Sequence, residues 1–241
     1  MSQTLPPPVP TGREPRQRWQ LRFARRHPAL RMKQQQLIAE FERAFREAGL
    51  PLAYTSAQRP RPRLRLAANT PVGIELRDEV LEAYFDELVP IEQIRAAAER
   101  FPDGVALVDA REVWHGFPSA ASQLSAAEYE LEVSGVDDPD RLQAAIEALV
   151  AAEALPGMAR RGETERRSDA GPRDLRPLIR EVELLGADAG SGRARLRTVL
   201  RLDASGAGRP EDVARALDLP LRVERAVRTR LIFVDAPEGG P

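Results

Sequence analysis

Residues 41–54 read Phe41-Glu42-Arg43-Ala44-Phe45-Arg46-Glu47-Ala48-Gly49-Leu50-Pro51-Leu52-Ala53-Tyr54, and they join the end of a helix to an extended segment. Apolar residues within and before this stretch recur three or four positions apart, which predicts an amphipathic helix from Gln34 to Ala48. Gly49 supplies the stop, because glycine adopts the left-handed conformation that ends many helices. Extended structure resumes at Pro51.

Working outward from this helix, the hydrophobic pattern predicts a β-α-β-β-α-β unit over residues 16–115. Strands are predicted at 16–24, 63–68 and 105–113, and a second helix at 90–101. Residues 79–88 fit a strand or a helix by pattern alone. The order is typical of a ferredoxin-like unit, in which two helices cover one face of an antiparallel sheet.

The same pattern recurs in the second half of the chain, after a polar segment at 116–125 that we interpret as a linker. Strands are predicted at 128–133, 175–185, 193–202 and 221–234, helices at 138–152 and 210–217, and a charged loop or hairpin at 160–173. We therefore predict an α+β protein of two tandem ferredoxin-like domains, 16–115 and 126–235. Residues 1–15 and 236–241 are predicted to be flexible tails.

Composition excludes several classes of chemistry. The chain has no cysteine, which rules out disulfides, thiolate zinc sites and a cysteine-ligated iron–sulfur cluster within this polypeptide. Its two histidines, His27 and His115, lack the spacing of metal ligands, so we expect neither a metal nor a cofactor in this chain. No apolar run is long enough to cross a bilayer, and the N-terminus has no apolar signal core, so we expect a cytoplasmic protein without a membrane partner.

Charge is strongly segregated along the chain. Residues 1–66 contain 14 basic and 4 acidic side chains, whereas residues 67–159 contain 5 basic and 19 acidic ones. Such a basic segment indicates an anionic partner, or contact with the acidic segment. Of the basic residues all but Lys33 are arginine, which suits bidentate phosphate contacts; a GC-rich genome would give the same bias.

Several motifs resemble the radical-SAM-linked protein family, a domain of unknown function found beside or fused to radical SAM proteins. The resemblance rests on residues 41–54, Pro60, Pro62-Arg63-Leu64, Pro71-Val72-Gly73-Ile74-Glu75, Ala126-Ala127-Glu128-Tyr129 and Asp174-Leu175-Arg176-Pro177-Leu178-Ile179. It favours a strand at 79–88. It also implies a separate radical SAM enzyme as partner, because this chain has no cysteine to hold the cluster.

The chain departs from the family pattern at its polar positions. The family's Ser-His-Leu-Asp is replaced by Lys33-Gln34-Gln35-Gln36, and its Gly-Phe-Asn-Pro-His-Pro by Ala57-Gln58-Arg59-Pro60-Arg61-Pro62. Nothing left in these two segments titrates near neutral pH. If relatives use these positions for chemistry, this chain has lost it; if they use them to hold a substrate, arginine and glutamine still offer hydrogen bonds.

The best candidate site is a polyanion or RNA surface on the basic segment. Its members are expected to lie close together, and they are Arg31, Lys33, Gln34, Arg59, Arg61, Arg63 and Arg65. Guanidinium groups bind phosphates, and glutamine amides hydrogen-bond bases or sugars. The alternatives are a solvated edge that discourages sheet pairing, or contact with the acidic segment or a protein partner.

The second domain offers Asp174, Arg176 and Arg228 as further candidates. Asp174 and Arg176 match the family pattern, and they either bind a substrate or partner or form an ion pair that anchors a strand. Arg228 lies on the last predicted strand, where the same alternatives apply.

These observations favour a non-catalytic accessory protein of a radical SAM enzyme that binds or presents RNA. One alternative is a protein–protein scaffold that docks a basic partner on the acidic segment 67–159. A weaker alternative is an RNA-processing or RNA-modifying enzyme, although the candidate cleft provides no acid–base pair or nucleophile.

Overall fold

The computed structural model describes residues 12–155, 174–188 and 190–234. The predictions for residues 1–11, 160–173 and 236–241 lie outside these ranges. The described chain divides into two compact units, 12–124 and 125–234, and both combine helices with antiparallel strands. The α+β class predicted from the sequence is confirmed. Across the described ranges, no helix has the length and apolar character needed to span a membrane.

Unit 1 is built on a small antiparallel sheet with strand order β4-β1-β3-β2. Its elements are β1 (Gln17–Arg25), α1 (Gln34–Glu47), β2 (Leu64–Leu66), β3 (Glu75–Phe85), α2 (Ile91–Ala98), β4 (Val105–Glu112) and α3 (Ala120–Gln123). The short helix α3 was not anticipated, since the sequence of 116–125 resembles a linker. Gly49 has a φ of +72° at the end of α1, as the sequence predicts.

The core of unit 1 lies between the sheet and the helices α1 and α2. Phe41 on α1 is fully buried and meets Phe23 and Phe101 edge to face, with ring centroids 5.1 and 4.9 Å apart. Phe45 meets Phe85 in the same way at 5.8 Å. These aromatic contacts fix which face of α1 is buried, because such pairs favour the edge-to-face geometry. The opposite face of the sheet carries polar side chains.

Unit 2 has the strand order β9-β5-β7-β6, with β8 paired to β7. Its elements are β5 (Leu124–Ser134), α4 (Pro139–Ala151), β6 (Ile179–Asp188), β7 (Arg193–Asp203), β8 (Gly206–Ala207), α5 (Pro210–Ala216) and β9 (Arg222–Phe233). The helix α4 buries the side chains of Leu142, Ile146 and Leu149. The Asp138 carboxylate caps α4, accepting from the amide of Asp140 at 2.9 Å.

Candidate nucleic-acid interface

A tight hairpin presents the first pair of predicted arginines. The Thr55 amide donates to the Arg61 carbonyl at 2.9 Å, and the Arg61 amide donates back to the Thr55 hydroxyl at 3.0 Å. Tyr54 and Pro62 pair next to this closure. Gln58 and Arg59 are exposed in the loop between Thr55 and Arg61, and Arg61 is also exposed. The hairpin is therefore fixed at its base while its charged tip remains accessible.

Arg63 and Arg65 continue from the hairpin along one face of the sheet. Leu64 and Leu66, which alternate with them, pack toward the hydrophobic core, so the two arginines project to the opposite face. Arg65 is exposed, whereas Arg63 is half-buried and lies 3.5 Å from the carboxylate of Glu14. We call Arg59, Arg61, Arg63 and Arg65 the hairpin arginines. Within the described ranges, Arg63 is the only one of these four in an ion pair. The alternate projection predicted from the sequence is thus present in the strand.

The other predicted segment lies at the opposite end of the sheet, so its expected closeness to the hairpin is wrong. The Arg25 guanidinium reaches the Met32 carbonyl, and Arg25 pairs with Leu76 at the start of β3. The hairpin instead joins the end of β3, where the Tyr84 amide donates to the Arg63 carbonyl. Leu76 and Phe85 are separated by nine residue steps, a span of about 30 Å, and α1 runs back along this length.

Arg31, Lys33 and Gln34 therefore belong to a separate basic surface. Arg31 and Lys33 are exposed and Gln34 is half-buried at the start of α1. Gln36, which stands where the family has aspartate, accepts a hydrogen bond from the Lys33 amide at 2.9 Å. Its local role is to satisfy a free backbone donor at the helix start.

Arg25 is a structural residue that the sequence analysis missed. It is fully buried, and its guanidinium donates to the carbonyls of Met32, Pro71 and Ile74. It thereby ties the start of α1 to the Pro71–Glu75 motif on which the family resemblance partly rests. The available signal was that Arg25 continues the alternation of Leu21 and Phe23, which places a charge on the core-facing side of the strand.

A second buried arginine, Arg18, fastens residues 117–120 to the polar face of the sheet. Arg18 and Glu82 form an ion pair in which the two side chains are only 2% and 1% exposed. Arg18 also donates to the carbonyls of Phe117 and Pro118 at 2.8 and 2.9 Å. Glu82 accepts from the Ala120 amide at 2.8 Å. This charge pair turns the expected linker into a fixed segment.

The candidates in unit 2 serve mainly to anchor the chain. The Asp174 carboxylate accepts from the backbone amides of Leu155 and Arg176 at 2.7 and 2.9 Å. The Arg176 guanidinium donates to three backbone carbonyls, those of Val150, Ala152 and Ile179. Arg228 is only 1% exposed, so its side chain does not contribute an open surface for a large ligand.

We expect Asp174→Asn to lower stability in a pH-dependent way. The amides of Arg176 and then Leu155 hold the pKa of the Asp174 carboxyl below its usual value. The contribution of the ionised group is therefore fully present above the unfolded-state pKa of about 4 and is lost as the pH falls through the lower folded-state value. Urea midpoints of the two proteins should differ at pH 7 and converge at strongly acidic pH. A difference that is the same at both pH values would contradict this role.

No group of three or more histidine, aspartate or glutamate side chains in the described ranges has the arrangement of a metal site. His115 is exposed, and its ring centroid lies 6.2 Å from that of Tyr84. His27 is also exposed, beside Pro28.

Comparison with known families decides the family relationship. The family described as "Uncharacterized protein conserved in bacteria (DUF2344)" matches residues 18–210. The chain belongs to this family. The match covers most of both units, and the family description assigns no activity. No curated protein matches the chain.

Solved structures similar to this DUF2344 protein are distant. A Cbf5-Nop10-Gar1 complex matches with 10% identity and a TM-score of 0.48, covering 87% of this chain and 48% of that one. The chain thus spans about half the length of that relative. A putative glycine cleavage system transcriptional repressor matches with 10% identity and a TM-score of 0.26, over 88% of this chain and 98% of that one. A dye-decolorizing protein from V. cholerae matches with 10% identity and a TM-score of 0.23, over 92% of this chain and 93% of that one.

Proposed function

We propose that this protein is a non-catalytic RNA-binding protein that uses the hairpin arginines of unit 1 to hold the phosphate backbone. The observation that carries the proposal is the exposed row of Arg59, Arg61 and Arg65, which starts on a closed hairpin and continues along β2. Arginine on a hairpin whose base is hydrogen-bonded requires less ordering of the backbone on binding phosphate than arginine on a mobile loop. The amide of Gln58 at the hairpin tip provides a hydrogen-bonding group for a base or sugar.

We also infer a ferredoxin-like arrangement for each unit. The support is the strand order: each unit places its first strand between its last strand and its third, with the second strand outside the third. In unit 1 the two longer helices connect the strands in the βαββαβ sequence, which is the ferredoxin-like connectivity. Sheets of this kind expose a face or edge that single-stranded RNA uses in other proteins, an argument from fold analogy alone.

We further propose a radical SAM enzyme as the partner to which this protein presents its RNA. The support is the motif resemblance together with the absence of cysteine, which leaves the cluster chemistry to another polypeptide. Affinity purification from the native cells, with and without nuclease, tests this pairing. A radical SAM enzyme retained after nuclease supports it, whereas recovery of RNA alone overturns it and leaves a stand-alone RNA binder.

Salt dependence tests the RNA proposal on the purified protein. Binding through phosphates releases counterions, so the logarithm of the affinity for a labelled single-stranded RNA should fall linearly with the logarithm of salt, by about 0.7 per phosphate contact. Fluorescence anisotropy between 50 and 200 mM salt, a range of about fourfold, is sufficient to measure it. A flat response would contradict phosphate binding.

A protein-docking function on the acidic segment is the second candidate. β4 is the edge strand of the unit 1 sheet, and a surface groove between β4 and α2 is lined by Ala98, Val105 and Leu107. Val108 is exposed on this strand, beside Asp109. An edge strand with exposed apolar and acidic groups accepts an extended basic segment by strand addition. Charge reversal at the hairpin would leave such binding intact.

A further inference from the structure

Two large aromatic side chains of unit 1 are exposed in the segment that follows β4. Trp114 is 72% exposed and Phe117 is 46% exposed, and their ring centroids lie 6.1 Å apart at nearly a right angle. The Trp114 ring packs against Gly116 and the Phe117 ring but remains mostly exposed, although tryptophan side chains are usually well buried. Exposed aromatic groups that lie together generally mark an interaction surface.

The backbone that carries these rings is held in place by buried charge. The Phe117 amide donates to the Trp114 carbonyl at 3.1 Å, which closes a turn between the two rings. The Phe117 carbonyl accepts from Arg18, whose partner Glu82 holds Ala120 three residues later. The rings therefore project from a fixed backbone, so that a ligand binding to them does not have to order a loop.

The same surface connects these aromatic groups with the arginines. Tyr84 lies opposite Arg18 in the β1–β3 ladder, and its ring lies 5.8 Å from the Arg18 guanidinium carbon and 6.2 Å from the His115 ring. On the other side of β3, the Tyr84 amide donates to the Arg63 backbone carbonyl, and Arg65 follows on the same face of β2. The Tyr84 ring and the Arg18 and Arg65 side chains therefore lie on one face of the sheet, the face on which Arg18 holds the Phe117 backbone.

We propose that Trp114 and Phe117 form a base-stacking platform for single-stranded RNA whose phosphates lie on the hairpin arginines; this inference rests on the proposed function. Alternating aromatic and cationic groups match a single strand, since each nucleotide presents a flat base and a negative phosphate. A duplex cannot bind through both the rings and the arginines, because its bases are already stacked on one another. The ligand class is therefore single-stranded nucleic acid without strong sequence preference.

The test compares a Trp114→Ala/Phe117→Ala variant with the wild type on a single-stranded RNA and on a duplex of the same length. Loss of a stacked base weakens binding about tenfold to hundredfold, so single-strand affinity should fall by at least tenfold while the salt slope is unchanged. Duplex affinity should change little. The aromatic variant Trp114→Phe/Phe117→Tyr is the matched control and should retain most of the affinity. Because both rings are exposed, urea midpoints should stay the same.

Tryptophan fluorescence gives an independent readout. Trp19 is buried and Trp114 exposed, so quenching on RNA addition that disappears in Trp114→Phe reports stacking on Trp114. If the alanine variant keeps its single-strand affinity while charge reversal at the hairpin abolishes it, the stacking platform is wrong and the phosphate surface stands. If the wild type binds no RNA, both proposals fail.

Discussion

Changing Arg59, Arg61 and Arg65 to glutamate is expected to weaken binding to single-stranded RNA by about a hundredfold or more at moderate salt, because three attractive phosphate contacts become repulsive. The slope of the logarithm of affinity against the logarithm of salt should become shallower by about 2, at roughly 0.7 per lost contact. All three side chains are exposed, so the fold should be unaffected. Anisotropy titrations at several salt concentrations measure both quantities.

A charge-matched control separates a local surface from a general effect of net charge. Arg95, Arg141 and Arg222 are also exposed, lie elsewhere on the two units, and give the same change in net charge when replaced by glutamate. This control should lower RNA affinity only severalfold, through the long-range field of the protein. Equal losses in the two triple variants would mean that the hairpin is not a site and that binding depends only on overall charge.

The sequence predicts the elements of the fold well where one local rule dominates. The helix ending at Gly49 is such a case, since its apolar spacing and its glycine stop act within a few residues. The segment 116–125 is the opposite case. Its small polar residues are typical of a linker, but Arg18 and Glu82, from strands distant in the sequence, fix it through hydrogen bonds. No local pattern contains that information.

In the candidate site, too, a local sequence pattern predicts some features and not others. Arg63 and Arg65 alternate with leucines, so a strand with one charged face follows from the sequence alone. The distance between the hairpin and the start of α1 does not follow from the sequence pattern, because it depends on the direction in which α1 returns along the sheet. The exposed pair Trp114 and Phe117 was also missed, since aromatic residues in a sequence predict burial unless the surrounding chain is known.

The largest stability effect is expected from Glu82→Ala, which should lower the free energy of unfolding by about 3–5 kcal/mol. The substitution leaves the Arg18 guanidinium buried without its counter-charge, and it also removes the acceptor of the Ala120 amide. Urea denaturation measures the change. The exposed pair Arg22–Asp78, at 2.5 Å between the same two strands, is the matched control. Its side chains are 45% and 23% exposed, so Asp78→Ala should cost less than about 1 kcal/mol.

A double substitution distinguishes the need for the charges from the need for the space they fill. Arg18→Met/Glu82→Leu removes both buried charges, and apolar pairs of similar volume are commonly as stable as a buried ion pair, so the double variant should recover most of the stability lost in Glu82→Ala. It still lacks the donors to Phe117 and Pro118 and the acceptor for Ala120. Glu82→Ala should weaken binding to single-stranded RNA because the backbone that carries the two rings is no longer held, and the double variant should bind as weakly although its stability returns. If affinity recovers together with stability, the pair is only a packing element, and the rings at 114–117 need no hydrogen-bonded support. If stability does not recover, the buried charges are required for the fold itself.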